Sequence, residues 1–111
     1  MSKPFTLYLI HHSHTDIGYT DLQGRILRRH THFLRRAMDV CEQRPDFRWQ
    51  CETFWPVEQA FYDFEEQEWE RFEELVRSGQ IGLSANARNF SELTNDELVQ
   101  ALLHRHTVFA A

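Results

Sequence analysis

Two cysteines, three prolines and four glycines are all that 111 residues contain of these types. Cys41 and Cys51 are too few for a disulfide framework, and neither lies in a C-x-x-C motif, so both read as buried thiols. So little glycine and proline excludes a low-complexity or disordered chain. Basic residues are also short, with 12 Lys+Arg against 17 Asp+Glu and a net charge of −5. That balance argues against nucleic acid or an anionic membrane as partner, since both select a basic patch. No apolar run approaches the roughly 18–20 residues of a membrane-spanning helix. The opening Met1-Ser2-Lys3-Pro4-Phe5 lacks the apolar core and cleavage site of a signal peptide, so the cytoplasm is the expected compartment. What is present is a 41% hydrophobic share, enough to bury a core, at a length suited to one domain or a piece of one. Seven histidines and 14% aromatics stand out.

The chain alternates strand-like and helix-like segments. Phe5 to His11 (F-T-L-Y-L-I-H) is a short apolar run rich in aromatic residues, expected as a buried strand. After a polar stretch, Ile26, Leu27, Phe33, Leu34, Ala37, Met38 and Cys41 share one helical face if His30 fills the missing turn. Thr20 or Asp21 is the expected N-cap, and Pro45 bars extension much beyond Gln43. Phe47 to Phe54 alternates, with Phe47, Trp49 and Cys51 on one face, as a second strand would. Pro56 suits a first helical turn, and the helical pattern continues to Arg77 with a break near Asp63–Glu66. Ser78-Gly79 stops it, with Gly79 suited to the left-handed position past a helix end. Ile81 to Ala85 is expected as a third strand, and Thr94 with Glu97 as a capping box for a last helix whose face is Leu98, Ala101, Leu102, Val108 and Phe109. The order β-α-β-α-β-α with long crossovers implies an α/β fold with parallel strands and right-handed connections. Both doubly wound sheets and α/β barrels begin this way. Three units leave open edges, so the expectation is the start of a larger domain.

The chemistry concentrates at His12-Ser13-His14-Thr15-Asp16-Ile17-Gly18-Tyr19, just past the first expected strand. Ligand sites of parallel α/β folds gather at that end. In extended chain alternate residues face one side, so His12, His14 and Asp16 can converge. Imidazole and carboxylate are ordinary zinc ligands, and zinc takes about four, so others must come from elsewhere. Gly18 permits a sharp turn that lets Tyr19 fold over the site. Solvated loop histidines are the plainer alternative. An H-x-H opening also begins metal-dependent amidohydrolases and phosphoesterases.

H-S-H-T-D-I-G-Y resembles the H-x-H-x-D-x-G-W signature that opens glycoside hydrolase family 38, the retaining α-mannosidases. Trp49-Gln50-Cys51-Glu52-Thr53-Phe54-Trp55 resembles the family's second-strand segment, and Phe72 to Leu83 its next helix, turn and third strand. The resemblance spans nearly the whole chain, residues 1–111, in order and spacing. It implies the first three βα units of a parallel (β/α) barrel, seven-stranded in the family, and a carbohydrate as substrate. It implies one zinc ion with His14 and Asp16 among its ligands, His12 on the substrate side, and Tyr19, Glu52 and Glu92 as substrate contacts. The family's nucleophilic Asp and a further His have no counterpart here, so the 111 residues are expected to be inactive alone. Retention would follow a two-carboxylate double displacement.

The sequence departs from the pattern in three places. Tyr19 replaces the signature's Trp; Thr15 and Ile17 stand where many members have other residues. Around Ser84 to Leu93 the usual Gly-Gly-Trp turn is missing, and only Glu92 answers to the acid that follows it. Elsewhere the plainer readings prevail. His30 and His32, like His104 and His106, are two apart on expected helices and cannot share a metal. Asn86, Arg88 and Asn89 read as a polar loop, and Trp55 and Trp69 as packing residues. Two competing functions remain beside the glycosidase: a metal-dependent amidohydrolase or phosphoesterase, and a non-catalytic α/β module.

Overall fold

The computed structural model describes residues 3–89, 93–104 and 107. Its elements are α1 (Gln23–Gln43), β1 (Trp49–Gln50), α2 (Trp55–Asp63), α3 (Glu66–Arg77), β2 (Ile81–Gly82) and α4 (Asp96–His104). Among the described residues no helix is long and apolar enough to cross a membrane.

α1 forms where its periodicity places it. Ile26, His30, Thr31, Leu34, Ala37, Met38 and Cys41 are its buried face. Its start carries no side-chain cap on Leu22; instead the Asp21 carboxylate accepts the Leu22 N–H at 2.8 Å and reaches Arg29 at 3.3 Å. A carboxylate at that end also suits the helix dipole. Pro56 opens α2, and the break before Glu66 divides α2 from α3. α3 begins with a reciprocal capping box between Glu65 and Glu68. It ends at Gly79, whose φ of 77° lies in the left-handed region that glycine adopts without cost. There the N–H groups of Gly79 and Gln80 donate to Val76 and Leu75.

The core joins Leu34, Met38 and Cys41 of α1 to Val57 and Ala60 of α2, Phe72 and Leu75 of α3, and Cys51, Phe54 and Ile81. Removing such side chains from water contributes roughly 1.5–3 kcal/mol each. Two arginines fasten α1 to α3 from outside. Arg35 takes both Glu68 oxygens at 2.7 and 2.9 Å, and Arg71 takes both Glu42 oxygens at 2.7 and 2.8 Å.

The expected three βα units are not present. The chain is mostly helical, and its only strands among the described residues are two residues each, paired in parallel as Trp49↔Ile81 and Gln50↔Gly82. Residues 5–10 form no strand. Backbone pairing of that segment starts at His11, which forms a single parallel bridge with Trp49. Phe5, Leu7, Tyr8, Leu9 and Ile10 are between 63% and 88% exposed. A run apolar on both faces becomes a strand when neighbours pair with it and layers cover both sides. The described residues offer it β1 alone, and only at its end. The second and third expected strands shrink for a related reason. Thr53 and Phe54 turn into α2, and residues 83–85 have no neighbouring strand among the described residues. α4 also departs from expectation. Asn95, not Thr94, caps it, accepting the Leu98 N–H at 2.9 Å. None of its residues is buried, and Val108 and Phe109 lie outside the described residues.

Candidate functional site

Glu52 is the centre of the site. It follows β1 by two residues, and the register of β1 against His11 on one side and β2 on the other sets where its side chain starts. Gln50 N–H donates to the His11 carbonyl at 2.7 Å, and Cys51 N–H to that of Gly82 at 2.9 Å. From there one Glu52 oxygen lies 2.8 Å from His14 Nδ1 and 3.7 Å from His12 Nδ1. The other accepts the Thr15 backbone N–H at 2.6 Å and the Asn89 amide at 3.2 Å. His14 presents its second nitrogen, Nε2, to Asp16 Oδ1 at 3.2 Å. His12, His14 and Asp16 thus do share one side, with Thr15 between them buried beneath.

The charges follow from these contacts. Partial burial pushes the Glu52 carboxyl up, but hydrogen bonds from His14, the Thr15 N–H and Asn89 outweigh it and hold it down at about 2. The bond to Glu52, its charge and that of Asp16 raise the His14 imidazole above its ordinary value. His30 reaches the underside of the site from α1. It lines a small pocket with Ser13, Thr15, Cys51 and Glu52, and burial pushes its imidazole down. Cys51, in the same wall, is pushed up by burial to about 12 and stays a neutral thiol.

Not every residue singled out in the sequence joins this cluster. Tyr19 is fully exposed and does not fold over the site. Glu92 lies outside the described residues, as does His106. His32 and His104 stand apart on the surfaces of α1 and α4. Two members escape sequence reasoning. The Thr15 N–H is a backbone group and carries no residue signature. Asn89 sits in a loop whose only signal is polarity; backbone bonds from Phe54 to Asn86 and from Trp55 to Ala87 carry that loop to Glu52. Arg88 stacks over Trp55 instead, its guanidinium 5.8 Å from the ring centre. An apolar groove of about 540 Å³, walled by Phe54, Val57, Trp69, Phe72 and Leu83, contains none of these polar groups.

Imidazoles and carboxylates gathered from two segments, open to solvent and footed on a glutamate held by an amide from a third, are groups a hydrolase site can use. Residues 4–97 match the model of the glycosyl hydrolases family 38 N-terminal domain, and the chain belongs to that family. The match carries a glycoside hydrolase relationship, which the sequence resemblance implies and the amidohydrolase, phosphoesterase and non-catalytic alternatives do not. No curated protein and no solved structure matches the chain.

Proposed function

We propose that this chain supplies the metal- and sugar-binding part of a zinc-dependent, α-mannosidase-like retaining glycosidase, with His14 and Asp16 as metal ligands. The observation that carries the reading is the 3.2 Å approach of His14 Nε2 to Asp16 Oδ1 beside a His14 Nδ1 already engaged by a carboxylate. Two atoms bound to one tetrahedral zinc at its usual bond lengths stand roughly 3.3 Å apart. A histidine ligand characteristically gives its other nitrogen to a carboxylate. The donor set therefore fits zinc as half a site. Among the described residues no group of three metal-binding side chains forms, and a complete zinc site would need further ligands beside these two. Bound zinc would act as a Lewis acid toward sugar hydroxyls. Around it His12 stands on the open side, 51% exposed, where it can donate to a hydroxyl.

Retaining hydrolysis needs two carboxylates about 5–5.5 Å apart. Asp16 is assigned to the metal. Glu52 already accepts bonds from His14, Thr15 and Asn89. Neither is free to attack an anomeric carbon, so the 111-residue chain is expected to leave an aryl α-mannoside unhydrolysed with or without zinc. Calorimetric titration with zinc tests the metal reading on the parent, His14→Ala and Asp16→Ala. Weak binding lost in both variants is the expected result; equal binding by all three removes it.

A further inference from the structure

We infer that Glu52 is a positioning residue for His14: its carboxylate, anchored by two other segments, grips the imidazole through Nδ1 and leaves Nε2 facing Asp16. This rests on the reading of His14 and Asp16 as metal ligands, and it assigns Glu52 a place beneath the site rather than against the sugar. Three observations carry it. The carboxylate is the enclosed member of the cluster, its side chain 20% exposed against 62% for His14 and 50% for Asp16. Its two oxygens divide the work, one for the His14 ring and one for the Thr15 N–H and Asn89. Thr15 is the residue between the two ligands, so one side chain holds both the ring and the backbone that spaces it from Asp16. Both ring nitrogens face a carboxylate oxygen, Nδ1 that of Glu52 at 2.8 Å and Nε2 that of Asp16 at 3.2 Å; the shorter contact claims the single proton of the neutral ring and leaves the lone pair on Nε2.

The isosteric change Glu52→Gln separates this role from simple packing. The Thr15 N–H and Asn89 are two donors and call for the amide oxygen on their side. The amide nitrogen then faces His14 Nδ1 as a donor, and the ring proton must move to Nε2, which can no longer bind a metal. Ring ¹⁵N chemical shifts and couplings read that tautomer without any metal, at a pH where the imidazole is neutral. The expected result is a proton on Nδ1 in the parent and on Nε2 in Glu52→Gln, with unchanged circular dichroism. Zinc titration of the same proteins should show a 10–100-fold weaker affinity in the variant, the usual effect of losing such a partner. Glu52→Ala leaves Asp16 as the carboxylate facing the ring, so the proton should likewise move to Nε2 and affinity should fall to a similar degree. A parent ring protonated at Nε2, or a Glu52→Gln variant that keeps the parent's tautomer and zinc affinity, overturns the inference. If zinc fails to bind the parent while the tautomer still follows residue 52, the positioning role stands and the metal reading falls.

Discussion

Thr53 is fully enclosed, and its hydroxyl has no hydrogen-bond partner among the described residues. A buried hydroxyl left unpaired costs on the order of 1–3 kcal/mol relative to one that stays solvated. Valine has nearly the same shape and no such group. Thr53→Val should therefore raise stability by about 1 kcal/mol, read as a higher urea midpoint with an unchanged slope. A lower midpoint would mean that the hydroxyl has a partner in solution and that the site beside Glu52 is wetter than its packing shows. The neighbouring Glu52 is the opposite case, since His14, the Thr15 N–H and Asn89 all bond to it. That contrast bears on what can be read from residues alone. H-x-H-x-D is legible because alternate positions of an extended chain must share a side. Glu52 as the hub is not legible, because its partners include a backbone N–H and an asparagine 37 positions away.

At the scale of elements, α1 is the piece that both builds the core and reaches the site. Its buried imidazole is His30, on its inner face against Phe33 and Trp55. Burial pushes this imidazole below its ordinary 6.5, Arg29 and His14 push the same way, and Glu52 and Asp16 oppose them. As pH falls through about 6.5 the unfolded chain binds the proton and the folded chain does not. Stability attributable to His30 is therefore complete above 6.5 and is lost as pH falls below it. In His30→Gln that loss should disappear, so the stability difference between parent and variant should shift in the variant's favour between about pH 7.5 and pH 5.5. Chemical denaturation at both values measures it. A constant difference would show that His30 takes up its proton in the folded state as readily as in the unfolded.

Helices α1, α2 and α3 are legible in the sequence because each carries its own signals: a buried stripe at helical spacing, Pro56 at a start, Gly79 at a stop. These are local and need no partner outside the helix and its neighbour. Phe5 to His11 has an equally plain composition, yet its state depends on what pairs with it. A strand borrows its hydrogen bonds, and here only His11 finds them. The same dependence shortens the other two strands to the residues at which both register partners exist. In α4 the periodicity is real, but Leu98 and Leu103 remain 51% and 40% exposed, and what ties the helix to the body is the bond from the Ala87 N–H to the Leu102 carbonyl.

The whole molecule is looser than its length requires. Its radius of gyration is 15.8 Å, whereas a compact domain of this size has about 13 Å. Among the described residues the buried hydrophobic ones all fall between Ile26 and Ala87, so residues 3–11 and α4 lie outside the core. The site straddles that division. His14 and Asp16 belong to the segment that enters the core at α1, while Glu52 and Asn89 belong to the body. If zinc takes His14 and Asp16, it binds a geometry that only the folded chain holds, through Glu52. Metal binding must then stabilise folding by mass action, by about 2.7 kcal/mol at a free zinc concentration 100 times the dissociation constant. For a chain of this length that is a rise of roughly 10 °C in Tm. Scanning calorimetry across a zinc series should show the midpoint climbing with the logarithm of zinc and returning to its starting value on chelation. Asp16→Ala should unfold at a temperature that zinc leaves unchanged. Its own metal-free stability should stay within about 0.5 kcal/mol of the parent's, because Asp16 is half exposed and its contact with His14 is a surface pair. A zinc-dependent rise of equal size in Asp16→Ala would place the ion on other residues and detach the stability of the chain from this site.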